Sequence, residues 1–185
     1  MEYILASASP RRQELLKLIT ANFFIEPANI SETVPDIITA ENTAEYLAVQ
    51  KGKDIAKQHP QSLVISADTT VVLGGTVLGK PKSKAEAELF LALLSGKTHT
   101  VYTGCALFYN GKSLSFSEET QVEFYELSVT EIQNYVNSGE PMDKAGAYGI
   151  QGSGSLLIKG IKGDYYNVMG LPVARLKREI EKFIK

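Results

Sequence analysis

Two carboxylates, two lysines and a pair of arginines are the residues of this chain best suited to chemistry. Asp68 follows the apolar run Leu63 to Ala67, a position at which a strand would present a carboxylate at a sheet edge. Glu32 lies in a loop and could join it. Lys80 sits in Gly79-Lys80-Pro81, and Lys51 falls among residues that otherwise form an apolar stripe. Carboxylates of this kind hold Mg²⁺ or Mn²⁺ together with phosphate oxygens, while cations neutralise charge on a departing group. Taken alone, Asp68 reads equally well as a strand-end cap or turn former.

The segment Ser7-Ala8-Ser9-Pro10-Arg11-Arg12 is the strongest local signal. Small residues let backbone N–H groups approach a ligand, and a helix start favours an anion. Arg11 and Arg12 add planar guanidinium groups that match phosphate oxygens with paired hydrogen bonds. The Gly-x-x-x-x-Gly-Lys spacing of a Walker A loop is absent. From this loop alone, a capped helix with two solvated arginines is an equal reading.

Competing chemistries are poorly supplied. The histidines are His59, beside a proline, and His99, inside an expected strand. With one cysteine, Cys105, there is no His/Cys cluster for zinc. Cys105 lies in strand-like sequence and reads as a small buried hydrophobe. No Gly-x-Ser-x-Gly elbow accompanies His99, and Gly-x-Gly-x-x-Gly does not follow the first strand.

The elements that must position these groups follow from periodicity. Tyr3 to Ala6 reads as a buried strand, and Pro10 opens a helix to about Ile19. Phe23 to Glu26 is a second strand. A helix capped at Asn42 or Thr43 runs to about Gln58, with Ala44, Leu47, Ala48 and Ile55 on one side and Lys51 in their midst. Leu63 to Ala67 is a strand ending at Asp68-Thr69. Val71 to Leu73 and Thr76 to Leu78 form a hairpin on Gly74-Gly75. Capping boxes at Ser83-Glu86 and Ser128-Glu131 open two more helices. A long hairpin, Thr98 to Tyr109 and Ser113 to Tyr125, turns at Asn110-Gly111. The Gly/Ala-rich stretch Asp143 to Ser155 reads as a site loop, followed by a strand from Leu156 to Ile161. Pro172 opens a final helix. Hairpins beside helical crossovers require an α/β fold with a mixed sheet.

Composition bounds the function classes. A chain of 185 residues with 44% hydrophobic and 22% charged residues fits one domain with its own core, here taken as 1–185. A formal charge of −2 argues against electrostatic capture of nucleic acid or an anionic membrane. No apolar run approaches the ~20 residues of a membrane helix. The N-terminus lacks a basic n-region, so no signal peptide is expected, and a single cysteine suits the cytoplasm.

In order along the chain, these pieces resemble the Maf family of nucleoside triphosphate pyrophosphatases. The matching segments are Ser7-Ala8-Ser9-Pro10-Arg11-Arg12-x-Glu14-Leu15-Leu16, Ser66-Ala67-Asp68-Thr69, Gly79-Lys80-Pro81 and Ser95-Gly96-x-x-His99. They continue with Asp143-Lys144-Ala145-Gly146-Ala147-Tyr148-Gly149-Ile150-Gln151-Gly152 and Asn167-Val168-Met169-Gly170-Leu171-Pro172. The resemblance implies a strongly twisted, mixed central sheet flanked by helices, of the Maf/ITPase-like kind, with a nucleotide cleft. It implies cleavage of a nucleoside triphosphate between its α and β phosphates, with a divalent metal ion, Mg²⁺ or Mn²⁺.

By position, the resemblance makes Asp68 the proton acceptor and a metal contact. Glu32 and Lys51 match metal and phosphate residues, and Arg12, Lys80, Ser7 and Ser9 would hold phosphates. One branch, similar to dTTP/UTP pyrophosphatases, carries Arg, Thr and Gln where this chain has Arg11, Thr69 and Gln151. The branch preferring 7-methyl-GTP has a tryptophan among its residues there, and this chain has none. A glutamine amide offers a donor and an acceptor to a uracil or thymine edge. The resemblance also implies a homodimer. The alternatives are a non-catalytic nucleotide-binding regulator of septum formation and a phosphomonoesterase releasing orthophosphate.

Overall fold

A computed structural model describes residues 1–185. Its strands are β1 (Tyr3–Leu5), β2 (Phe24–Ile25), β3 (Leu63–Leu73), β4 (Thr76–Leu78), β5 (Thr98–Tyr109), β6 (Lys112–Phe124) and β7 (Ile158–Gly163). The helices are α1 (Pro10–Leu16), α2 (Thr43–Ala56), α3 (Lys84–Leu94), α4 (Val129–Asn137), α5 (Tyr165–Met169) and α6 (Val173–Phe183). All seven strands join one sheet in the order β2-β1-β3-β5-β6-β7, with β4 also paired to β3. β1 runs parallel to both β2 and β3, which requires crossovers, and α1 and α2 provide them. The remaining pairs are antiparallel. The β3–β4 and β5–β6 hairpins close on Gly74-Gly75 and Asn110-Gly111, where both central residues have positive φ. The sheet is therefore mixed, as expected.

β3 organises the rest. Its odd residues face α1 and α6 at one end, where Ile65 and Ala67 meet Leu15, Leu16, Leu171, Leu176 and Ile180. At the other end Val71 packs with Leu91, Leu94, Ile132 and Val136 of α3 and α4. Between these two apolar clusters the same face carries a polar pair, Thr69 opposite Thr103 of β5. The even residues face α2. Gly52 of α2 and Gly104 of β5 leave no room for a Cβ where helix and sheet touch, and Ser66 Oγ donates to Ala48 O at 2.7 Å. This close approach sets Lys51 directly over β3.

The clearest differences from the expectations are three element boundaries, one added helix and one capping box. β3 does not end at Asp68-Thr69 but runs on to Leu73, because β5 pairs with it continuously from Val64 to Val72. Cross-strand hydrogen bonds carry the ladder through polar residues that apolar patterning alone would read as a stop. α1 ends at Leu16, three residues early. Leu18 N and Ile19 N there bond to Leu15 O and Leu16 O, tightening the chain out of the α-helix. β7 begins at Ile158, since Gly152–Leu157 forms a 3-10 turn that buries Leu157 and leaves Leu156 in solvent. α5 was not foreseen: Asp164 Oδ1 caps it by accepting from Tyr166 N at 2.8 Å, and Gly170 ends it at φ 112°. At α3, Ser83 caps Glu86 N as expected, but the Glu86 carboxylate accepts from Lys82 N instead of closing the box. The box at Ser128 and Glu131 is complete.

Candidate active site

The site lies where the sheet is interrupted. β1 pairs with β3 only as far as Ile65, and β4 joins the same edge only from Val71. Between them the β3 edge from Ser66 to Thr70 is open, and the Ser7-Ala8-Ser9 turn leaves the carboxyl end of β1 beside it. Parallel strands commonly expose their sites at such an end. A cleft of about 930 Å³ occupies the gap. All ten residues singled out from the sequence line it: Ser7, Ser9, Arg11, Arg12, Glu32, Lys51, Asp68, Thr69, Lys80 and Gln151. Asp68 is thus in mid-strand, not at a strand end, and reaches the cleft because the neighbouring strand stops short.

On the even face of β3, Lys51 Nζ donates to Asp68 Oδ1 at 2.5 Å and meets Glu32 Oε1 at 2.7 Å. The Lys51 and Asp68 side chains are only 14% and 13% exposed, whereas Glu32 is 60% exposed. The inner pair is therefore the more buried one, and Glu32 closes it from the solvent side. The hydrogen bond from Lys51 holds the Glu32 carboxyl below the usual carboxylate range. Thr70, two residues on and on the same face, lines the cleft with a buried hydroxyl that has no protein partner.

On the odd face, Arg12 is held at all three nitrogens. Nε donates to Gly170 O at 2.9 Å, Nη2 to Thr69 Oγ1 at 3.0 Å and Nη1 to Ser7 Oγ at 3.3 Å. Thr103 Oγ1 donates to the carbonyl of Asn167 at 2.9 Å, so its one hydrogen is committed. The 2.9 Å contact between Thr69 and Thr103 must then be donated by Thr69. A relay thus runs from Arg12 through Thr69 and Thr103 to α5. One N–H on each terminal nitrogen of Arg12 stays free for an anion. Burial lowers the Arg12 pKa, against the pull of Asp68, but a guanidinium remains charged. Ser9 caps α1, its Oγ accepting from Arg12 N at 3.5 Å, and Ser7 Oγ accepts from Ser9 N.

Arg11 points away from Arg12, toward Asp143 Oδ2 at 3.5 Å. Lys144 Nζ donates to Asp143 Oδ1 at 2.7 Å and to Glu140 O at 2.6 Å. Burial works to raise Asp143, but the Lys144 hydrogen bond and the charges of Lys144 and Arg11 hold it below the carboxylate range. Gln151 lies on the same wall of the cleft, and Lys80 lies at the end of the β3–β4 hairpin, where Gly79 O accepts from Gly146 N at 3.0 Å.

The structure also disposes of the rival nucleophiles and bases. Cys105 is fully buried and its thiol is pushed up to about 12 by burial. His99 is buried, pushed down to about 4 by burial, and shares a 2.7 Å hydrogen bond with Tyr148 Oη. His59 pairs with Glu26 at 2.8 Å outside the cleft.

The whole chain matches known proteins. The family model described as Maf-like protein matches residues 2–183. A dTTP/UTP pyrophosphatase of Bacillus cytotoxicus is 48% identical over 182 residues, covering 98% of this chain and 95% of the relative. A dTTP/UTP pyrophosphatase of Bacillus cereus strain G9842 is 48% identical over 180 residues, 97% of this chain and 94% of the relative. Among solved structures, a HAM1 protein from Coxiella burnetii superposes with a TM-score of 0.59 at 17% identity, covering 98% of this chain and 99% of that one. That likeness bears on the fold. No helix of the chain is long and apolar enough to cross a membrane.

Proposed function

The chain belongs to the Maf-like family, and we propose on that basis that it is a nucleoside triphosphate pyrophosphatase, converting dTTP and UTP to the monophosphate and pyrophosphate. Modified pyrimidine triphosphates are further substrates of this house-cleaning activity, carried out in the cytoplasm by residues 1–185 as one domain and as a homodimer. The observation that carries the reading is the open edge of β3, where the Asp68 carboxylate and the anchored Arg12 share one cleft. Relatives at 48% identity bear an enzyme's name, so the non-catalytic regulator is not favoured.

Asp68 accepts a proton from the water that attacks the α phosphorus, and the bond from that phosphorus to the bridging oxygen breaks. Charge accumulates on the departing pyrophosphate. Arg12, through its free N–H groups, and Lys80 meet that charge, and Ser7 and Ser9 bind phosphate oxygens. Lys51 leaves the carboxylates for the arriving triphosphate, which frees Asp68 to act as base. Arg11, Thr69 and Gln151 select the base.

The carboxylates fit a divalent cation. Glu32 and Asp68 converge on the Lys51 ammonium, which stands where a second positive charge is wanted. Two carboxylates would leave the rest of a hard cation's coordination to substrate phosphates and water. Bound by Glu32 and Asp68, Mg²⁺ or Mn²⁺ would supply further neutralisation of the phosphate oxygens.

The test is a panel of nucleoside triphosphates with Mg²⁺, assayed for pyrophosphate and for orthophosphate. Pyrophosphate from dTTP and UTP is expected. Orthophosphate without pyrophosphate would place the cleavage at a terminal phosphate and favour a phosphatase, and no product from any nucleotide would end the enzymatic reading.

A further inference from the structure

Gln151 sits in a stretch of small residues, Gly149, Gly152, Ser153 and Gly154, in which Ile150, half-buried against the core, is its one large neighbour. Its backbone is nevertheless fixed on both sides by two side chains from α4 and the turn that follows. Gly149 N donates to Tyr135 Oη at 3.1 Å. Ser153 N and Gly154 N donate to Glu140 Oε2 and Oε1 at 3.0 and 3.1 Å. Tyr135 Oη donates to Glu140 Oε1 at 2.9 Å, joining the two anchors. A Cβ at Gly152 would lie 2.9 Å from Glu140 Oε2, so glycine is needed for the loop to close over the carboxylate.

We propose that Glu140 and Tyr135 are positioning residues for base selection, acting through Gln151, an inference that rests on the assignment of Gln151 to the base in the function proposed above. The carboxylate accepts three hydrogen bonds and the tyrosine hydroxyl uses both its donor and an acceptor, so neither group has a free choice of partner. Uracil and cytosine present opposite patterns on one edge: the group on C4 is an acceptor in uracil and a donor in cytosine, and N3 is a donor in uracil and an acceptor in cytosine. An amide can read that difference only if its orientation is imposed from outside. The glycines and serine around Gln151 impose no orientation of their own; Ile150 anchors the chain on the side before it, and the Glu140–Tyr135 buckle fixes the backbone on both sides. Glu140→Gln retains the shape but puts an amide N–H against one of the three donors. Tyr135→Phe removes the link to Gly149 and the link to Glu140 together.

The test measures equilibrium binding of the α,β-methylene analogues of UTP and CTP, which reports base discrimination without turnover. It therefore stands apart from the hydrolysis assay, so a protein that discriminates but does not hydrolyse would leave this inference standing and remove the enzymatic one. Glu140→Gln and Tyr135→Phe should each lower the UTP-over-CTP preference about tenfold, the worth of one well-placed hydrogen bond. In Glu140→Gln combined with Gln151→Ala, the preference should be no lower than in Gln151→Ala alone, because the first residue acts through the second. Thermal unfolding identifies any variant that fails to fold, and the other variant then decides. The inference is overturned by unchanged preference in a folded variant, by losses that multiply in the combined variant, or by a parent protein with no preference.

Discussion

Asp68 and Thr69 are neighbours on β3 whose side chains leave the sheet on opposite faces, Asp68 toward Lys51 of α2 and Thr69 toward Arg12 of α1. Alternation along a strand makes this unavoidable. What makes it useful is the missing stretch of neighbouring strand between Ile65 and Val71. A substrate bound at that open edge can reach both faces at once, with a carboxylate on one side and a fixed guanidinium on the other.

Replacing Asp68 by asparagine retains the shape and removes the carboxylate proposed as the base. Turnover should fall by about 10²- to 10⁴-fold, the usual contribution of general-base catalysis. Nucleotide binding should persist, because Arg12 and Lys80 are untouched. Pyrophosphate release paired with a binding isotherm checks both statements, and loss of binding equal to the loss of turnover would contradict the assignment.

Lys51→Ala leaves the mostly buried Asp68 carboxylate without its partner. Stripping one member from a buried pair costs roughly 3–5 kcal/mol, and the residual exposure here favours the lower end. Adding Asp68→Asn should restore much of that loss, since a neutral amide needs no counter-charge. Denaturant unfolding of both single variants and the combination provides the cycle. Simple additivity would mean that the pair is not coupled.

Thr69→Val keeps the strand and the volume but cuts the relay from Arg12 to Thr103. A lost hydrogen bond of this kind costs about 1–2 kcal/mol, and Arg12 loses one of its three anchors. The expected kinetic result is weaker substrate binding with a smaller change in kcat, read from the dependence of rate on UTP concentration. A variant with wild-type kinetics would show that Arg12 is adequately held by Ser7 and Gly170.

How legible all this is from sequence depends on the kind of contact. Lys51 stood out because a charged residue broke a helical apolar period, and the burial of Asp68 against it explains the breach. Asp68 itself is legible as a candidate, but its place in the strand is not. An apolar run ends at Ala67, while the β5 ladder that continues past it belongs to residues thirty positions away. Thr69 and Asn167 stand out only through the family resemblance, and the relay that joins them through Thr103 has no signature in the periodicity, since a threonine in a strand is ordinary. Glu140 and Tyr135 were invisible for a different reason. Their partners are backbone N–H groups of a glycine-rich loop, which carry no side-chain signature. α5 could have been found from Asp164 before it and Gly170 after it.

His99 gives a pH dependence of stability with a definite sign. Burial lowers its pKa from 6.5 to about 4, so the folded protein keeps the ring neutral over a range in which the unfolded chain protonates it. Between those values the unfolded state binds more protons, and stability must therefore fall as pH falls from about 6.5 toward 4. Below about 4 the folded state also binds the proton and the loss levels off. The full effect is on the order of 3 kcal/mol. Unfolding free energies at pH 7.5 and pH 5 should differ more for the parent than for His99→Phe, whatever the variant's stability at neutral pH. Equal differences in the two proteins would show that His99 titrates normally and that carboxylates set the acid sensitivity.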